Sequence, residues 1–325
     1  MSRTLRYVTC DVFTSTPFSG NQLAIVFGAE DLPTDTLQAI TREFNYSETV
    51  FVYAPVNPAH TRRVRIFTPG SELPFAGHPT IGTAHALVAS GAVSDGVAGD
   101  EVMVILEEGV GPVPVRVRMK DGVPVHAQLT TAQAPEERHD VPSNAELASI
   151  LSLAPDDLVG GEMRPAAVSC GIPFLIVPLK SVDAVRRARV VTSAWEASLK
   201  GTWGSELMVF AETPTEASAS DPSVDASLVQ GCNVRARVFV PGLSVPEDPA
   251  TGSANACLAA YLAARTDAAR VPADGVLRWE VAQGVEMGRP SRLSIEAEMK
   301  DGAIAAIRVG GGTVMMASGE LTVRD

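Results

Sequence analysis

The sequence predicts an α+β protein of two pseudo-symmetric halves, each a curved, mostly antiparallel, barrel-like sheet around one central helix. Three observations carry this. His78-Pro79-Thr80-Ile81-Gly82-Thr83-Ala84-His85-Ala86 is echoed by Asp248-Pro249-Ala250-Thr251-Gly252-Ser253-Ala254-Asn255-Ala256, an offset of 170 residues (248 minus 78), with proline, glycine, hydroxyl and alanine positions coinciding. RVRIFTPG from Arg63 pairs with RARVFVPG from Arg235, an offset of 172 (235 minus 63). MKDG at Met119 recurs at Met299, an offset of 180 (299 minus 119). Three matches in one order, far apart compared with the ~20–50 residues of solenoid repeats, indicate a duplicated domain-sized unit. The expected domains are 1–130 and 131–325, with the final strand free to return to the first half.

The elements of the first half follow from local pattern. Tyr7 to Phe13 alternates as a strand, Ser19-Gly20-Asn21 turns the chain, and Leu23 to Phe27 is a continuous apolar run of a buried strand. Asp35 is placed to cap a helix over Thr36 to Phe44. Glu48 to Val52 and Arg63 to Phe67 read as strands, Pro79 to Ser90 as the first central helix, and Val102 to Leu106 and Val113 to Met119 as strands around the loop EEGVGP. Asp121-Gly122 is a hairpin signal.

The polar, proline-bearing stretch Thr131 to Asn144 is the expected linker. Beyond it the order repeats: a helix over Ala145 to Leu151, strands at Ala166 to Ser169 and Phe174 to Pro178, a helix near Val182 to Arg187, and a strand at Leu207 to Phe210. Thr213 to Ala226 reads as a mobile excursion. Val234 to Val240 is a strand, and the second central helix is expected to begin with Asp248 as N-cap and Pro249 in its first turn, where a missing N–H is harmless. Strands at Val276 to Val281 and Leu293 to Ala297 and a hairpin after Met299 complete the chain.

Composition narrows the function classes. A net charge of -12 argues against nucleic-acid backbones and anionic membranes, and 5% aromatic residues against base-stacking platforms. Two helix N-termini can still bind a small anion against that global charge. The N-terminal segment shows no export-signal pattern, and the apolar run from Ala254 to Ala264 is well short of the ~20 residues of a membrane span, so a cytoplasmic location is expected. Cys10, Cys170, Cys232 and Cys257 have neither metal-ligand nor disulfide-framework spacing and read as small buried hydrophobes; no metal or cofactor is expected. Gly310 to Gly312 precede a strand rather than a helix, which disfavours a phosphate cradle.

The motifs DVFTSTPFSGNQLAIV, NYSETVFV, RIFTPGSELPFAGHPTIGTAHAL, EDPATGSANACLAAYL and QGVEMGRPSRL, spread from residue 11 to residue 293, resemble those of the PhzF-like phenazine-biosynthesis isomerases within the diaminopimelate epimerase fold. The resemblance implies two halves with the active site in the cleft between them, and a homodimer. Epimerase relatives place one cysteine at each helix start. Here those regions read Phe75-Ala76-Gly77-His78 and Glu247-Asp248-Pro249-Ala250, without a thiol, which argues against a two-cysteine racemase.

What the resemblance implies instead is a cofactor-free proton shift with Glu48 as the general acid/base, its pKa lifted by burial. His78 and Asp248 would hold or relay protons. Gly77, Gly252, Ser253 and Asn21 would bind a small carboxylate substrate, with trans-2,3-dihydro-3-hydroxyanthranilate as the reference. Each residue also has a plainer reading: Glu48 as a surface charge, Asp248 as a helix cap alone, His78 as a structural residue before Pro79. His85 and Asn255 read as satisfied polar groups on the central helices, and Arg289 as a residue that fixes a loop. The alternatives are an epimerase or racemase without cysteines, and a non-catalytic binder of an anionic metabolite.

Overall fold

The computed structural model describes residues 2–93, 97–98, 100–213, 229–243, 245–266 and 273–324. They divide into two compact units, Met1–Thr130 with Gly310–Asp325, and Thr131–Val309. Most of the expected excursion from Thr213 to Ala226 lies outside the described residues. The first stretch of chain forms β1 (Ser2–Val12), β2 (Asn21–Phe27), α1 (Thr34–Phe44), β3 (Glu48–Tyr53), β4 (Arg62–Phe67), β5 (Glu72–Leu73), α2 (Gly77–Ala89), β6 (Val97–Ala98), β7 (Glu101–Glu108), β8 (Gly111–Lys120) and β9 (Val123–Thr130). Next come β10 (Glu136–Arg138), α3 (Asn144–Leu151), β11 (Ala166–Ser169), β12 (Pro173–Pro178), α4 (Val182–Arg187), α5 (Thr192–Ser198), β13 (Glu206–Glu212), β14 (Val234–Val240), β15 (Val245–Asp248) and α6 (Gly252–Arg265). The last strands are β16 (Gly275–Gln283), β17 (Ser291–Lys300), β18 (Ala303–Gly311) and β19 (Thr313–Arg324).

In the first unit β19 pairs with β1, β1 with β2, and β3 with β4, all antiparallel, while β2 and β3 run parallel. β4 pairs antiparallel with β5 and parallel with β7, and β7, β8 and β9 continue as antiparallel neighbours. The second unit repeats the scheme. β11 and β12 are antiparallel, β12 and β13 parallel, β13 and β14 antiparallel; β14 then pairs antiparallel with β15 and parallel with β16, which meets β17 antiparallel. The duplication read from three sequence matches is thus present in the hydrogen-bond topology. Both MKDG segments turn in one way too: Asp121 and Gly122, like Asp301 and Gly302, have left-handed φ between 52° and 78°, as a tight two-residue hairpin turn requires.

Each unit has a helix with almost no polar face. Gly77 to Val88 of α2 are buried all round, as are Ala254 to Ala263 of α6, the condition of a helix with sheet or loops on every side. Small residues make this feasible: a Cβ on Gly82 would come within 2.6 Å of Val12 and 2.7 Å of Leu23, so only glycine lets α2 approach β1 and β2. A further core in the first unit lies under α1, from Leu5, Val26, Leu37, Phe51 and Phe67. In the second, Leu147, Leu151, Val185, Trp195 and Leu199 join α3, α4 and α5 to Leu175, Val177, Leu207 and Val209 of the sheet.

Several local expectations are corrected. Thr34 starts α1 with Pro33 at the cap position, so Asp35 sits in the first turn without capping it. The segment read as a linker holds β10, paired with β11. The second central helix begins at Gly252 with Thr251 as N-cap, not with Asp248. Asp248 instead ends β15, opposite Val238, because strand pairing and the Arg237–Glu247 ion pair at 2.8 Å hold this stretch extended against its local helix-start signal. No described helix is long and apolar enough to cross a membrane.

Candidate active site

Strand register brings the first group of polar residues together. Glu48 opens β3 in parallel register with Leu23, two residues beyond Asn21, which opens β2. Glu48 and Asn21 therefore emerge at the same sheet end. The start of α2 brings His78 to them: its Nε2 lies 3.4 Å from Glu48 Oε2, and its Nδ1 lies 3.2 Å from Asn21 Nδ2. Ser47 Oγ in turn donates to Asn21 Oδ1 at 3.3 Å. Asn21 and His78 are buried, and the Glu48 side chain retains 16% of its exposure, enough for a small molecule to reach it. Reading Glu48 as a plain surface charge does not fit that burial.

The state of this cluster follows from desolvation. Burial drives the His78 pKa down to about 3, and contact with the Gln22 backbone, which favours the charged ring, does not outweigh it. At neutral pH the imidazole is uncharged. Nδ1 faces the Asn21 amide and Nε2 faces Glu48. The 3.4 Å separation is longer than a formed N–H to carboxylate bond, as is common where a catalytic contact tightens on binding. Gly77, buried, is the first residue of the helix, where N–H groups lack an intrahelical acceptor.

The second group surrounds the start of α6. Thr251 Oγ1 donates to Asp248 Oδ2 at 2.5 Å. Gln283, fully buried at the end of β16, donates from Nε2 to the Asp248 carbonyl at 2.8 Å, and its Oε1 accepts from Asn255 Nδ2 at 2.8 Å and Thr251 N–H at 3.3 Å. Of the two adjacent carboxylates, Glu247 is held by both prongs of Arg237, while the Asp248 carboxylate accepts from the Thr251 hydroxyl and has further contacts of its own. Gly252 is buried and Ser253 half-buried in the first turn.

Gln283, Thr251 and Ser47 are the members that the sequence reading left unassigned. All three had a signal, since Gln283 opens QGVEMGRPSRL, Thr251 lies within EDPATGSANACLAAYL and Ser47 immediately precedes Glu48. Neither His85 nor Asn255 is fully satisfied: His85 Nδ1 and Asn255 Oδ1 are buried without a hydrogen-bond partner among the described residues. Apolar neighbours around α2 keep His85 neutral, its pKa pushed down to about 4. Arg289 does order a turn, through its backbone: its N–H donates to Gly284 O and its carbonyl accepts from Ser291 Oγ. Cys10, Cys232 and Cys257 are buried, Cys170 is partly exposed, and all four are free thiols. Burial pushes the Cys10 and Cys257 thiols far up and Cys232 to about 11, which makes none of the three a nucleophile or base at neutral pH.

Comparison with known proteins places this geometry. The family model described as phenazine biosynthesis-like protein (PhzC-PhzF) matches residues 10–319. The chain belongs to this PhzF family. It is 39% identical over 99% of its length to an uncharacterized isomerase of Mesorhizobium japonicum, all of whose length is covered. It is 33% identical over 97% of its length to trans-2,3-dihydro-3-hydroxyanthranilate isomerase of Pseudomonas aeruginosa, covering 98% of that protein. Among solved structures, the PhzF-family phenazine biosynthesis protein of Bacillus anthracis superposes with a TM-score of 0.81 at 24% identity, over 98% of this chain and 99% of that one. This PhzF-family protein is an enzyme of the isomerase kind.

Proposed function

We propose that this PhzF-family enzyme catalyses a cofactor-free proton shift on a small carboxylate, with Glu48 as the group that removes and returns the proton. The observation that supports it most is the placement of Glu48 Oε2 3.4 Å from a buried, neutral His78 at the start of a helix. The uncharged imidazole contributes no positive charge that would lower the basicity of the carboxylate beside it. Glu48 takes a proton from one carbon as the C–H bond breaks; the electron pair spreads into the conjugated system and the double bond moves. The same carboxyl then protonates a second carbon, so no oxidant or co-reactant is consumed.

The other roles follow from chemistry. The substrate carboxylate is held at the start of one or both central helices, by first-turn N–H groups at Gly77 or at Gly252 with the Ser253 hydroxyl, which acidifies the neighbouring C–H. Asn21 orients His78, and His78 and Asp248 hold protons on polar substituents. The relative at 33% identity makes dihydrohydroxyanthranilate the first substrate to try.

The test is proton NMR in D2O with wild type and Glu48→Gln, on dihydrohydroxyanthranilate and a panel of unsaturated and amino carboxylates. Solvent deuterium entering carbon, or a carbon-bound proton changing place, with wild type alone supports the assignment. Equal exchange by both proteins would overturn it, inversion at one carbon would indicate an epimerase, and binding without exchange a binder.

A further inference from the structure

Glu108, at the end of β7, is a buried carboxyl that the proposed chemistry does not use. Its Oε1 lies 2.6 Å from Thr80 Oγ1, and the same hydroxyl oxygen lies 2.7 Å from the carbonyl oxygen of Ala76. Thr80 has one hydroxyl proton for two short contacts. A carbonyl cannot donate, so if Glu108 were an anion, one of these oxygen pairs would face each other without a proton between them. Both are satisfied only when Glu108 carries the proton, donates to Thr80, and Thr80 donates to Ala76. The other oxygen, Oε2, is buried with no hydrogen-bond partner among the described residues, a position far costlier for a charge than for a neutral acid. Burial pushes the Glu108 pKa up to about 8, and the contact with Thr80, which acts in the other direction, does not offset it.

The residues beside Glu108 hold the same piece of backbone. Val110 N–H donates to Pro74 O at 3.3 Å, and a Cβ on Gly109 would come within 2.8 Å of Pro74, so three consecutive residues of the β7–β8 turn clasp the segment from Pro74 to Thr80. That segment begins α2 and carries Gly77 and His78. We infer that Glu108 is a positioning residue that works as a neutral acid, fixing the first turn of α2, and with it His78, through the relay from Glu108 to Thr80 to Ala76. The inference rests on the proposed function only for its effect on turnover.

Other ionisable groups near this turn are engaged elsewhere. On β4 and β5, Arg65 is paired with Glu72, and Arg63 lies over Tyr53. On β7, Glu107 accepts from Val56 N–H, Asn57 N–H and His60. On α2, His78 and His85 are neutral. No charge among these stabilises a Glu108 anion, so raising the pH through about 8 forces an unpaired charge into the relay and loosens the turn.

The experiment uses Glu108→Gln, whose amide can still donate to Thr80, beside Glu108→Ala and Thr80→Val. The infrared spectrum of wild type minus Glu108→Gln is expected to show a protonated-carboxyl band at pH 7 that fades above about pH 9. Absence of that band overturns the inference whether or not a substrate is known. His78 imidazole NMR signals are expected to shift in Thr80→Val and Glu108→Ala and to stay in place in Glu108→Gln; unmoved signals in all three overturn the positioning role. With a turned-over substrate, Thr80→Val and Glu108→Ala should lower kcat on the order of 10-fold to 100-fold with KM within about twofold. Glu108→Gln should restore kcat and abolish the alkaline fall of wild type. If Glu108→Ala does not fold, Thr80→Val and the infrared difference decide. Failure of every substrate to react would count against the proposed function and leave the band and the imidazole signals to judge this one.

Discussion

The two central helices stand in the same topological place, yet their starts are built differently. In the first unit the helix begins ahead of the motif's proline, and His78 is inside its first turn, buried, with its state set by desolvation. In the second, the matching residue Asp248 is still strand, the helix waits until Gly252, and a cage of Thr251, Asn255 and Gln283 holds the site by hydrogen bonds. A duplicated frame thus keeps a polar group at one place by two physical means. Burial suits the imidazole, which loses its charge; a carboxylate needs donors, and the extended segment gives it room for them.

The comparison can be broken at several points. The largest effect expected is at Glu48, where glutamine should reduce turnover by on the order of 10²–10⁴-fold with ligand binding retained, read by deuterium exchange and calorimetry. A comparable loss of binding would mean that Glu48 serves the ligand rather than the proton. Next is Gln283→Leu, which removes the acceptor of Thr251 N–H and Asn255 and the donor to Asp248. Stranding those buried groups should cost about 1–3 kcal/mol each for the worst placed, seen as a lower denaturant midpoint.

A third test reads the first helix start through pH. His78 titrates at about 3 when folded and near 6.5 when unfolded, so its contribution is complete above 6.5 and is lost as the pH falls toward 3. The loss is ~1.4 kcal/mol per pH unit across that window. Glu108 acts with the opposite sign: its folded pKa is raised, and its contribution, complete below the unfolded value, is lost as the pH rises through about 8. The clean measurement is therefore wild type against His78→Gln, whose unfolding free energy should lack that acid slope. The smallest effect sharpens the second helix start: Thr251→Ser keeps the hydroxyl on Asp248 and should change stability by less than about 0.5 kcal/mol, whereas Thr251→Val should cost on the order of 1 kcal/mol.

How much of this was legible in the sequence depended on how local its cause was. Strand periodicity, the two central helices and the Asp-Gly turns are written in neighbouring residues, and so were found. Glu48 and His78 were assigned to one site through motif resemblance; the parallel register of β2 and β3 sets Glu48 beside Asn21 and the start of α2 brings His78 to them, neither of which a local pattern encodes. Asp248-Pro249 is a good helix start by propensity and was overruled by pairing of β15 with β14, a non-local term. Gln283 is 28 residues beyond Asn255, and only the register of β16 against β14 and β17 turns it inward. Glu108 looked like part of a polar loop, since nothing in EEGVGP tells which of its two glutamates points under the helix.

One property of the first unit bears on how the protein is made. Its sheet includes β19, so β1 has its second neighbour only when Thr313 to Arg324 are in place. As the chain leaves the ribosome, the half synthesised first keeps an open strand edge throughout synthesis of the other half, and is completed last. Such an edge is a template for pairing with another nascent chain. Early termination anywhere before β19 would therefore yield an aggregation-prone first unit rather than a smaller folded protein, and a permuted gene that encodes β19 directly ahead of β1 should relieve that hazard.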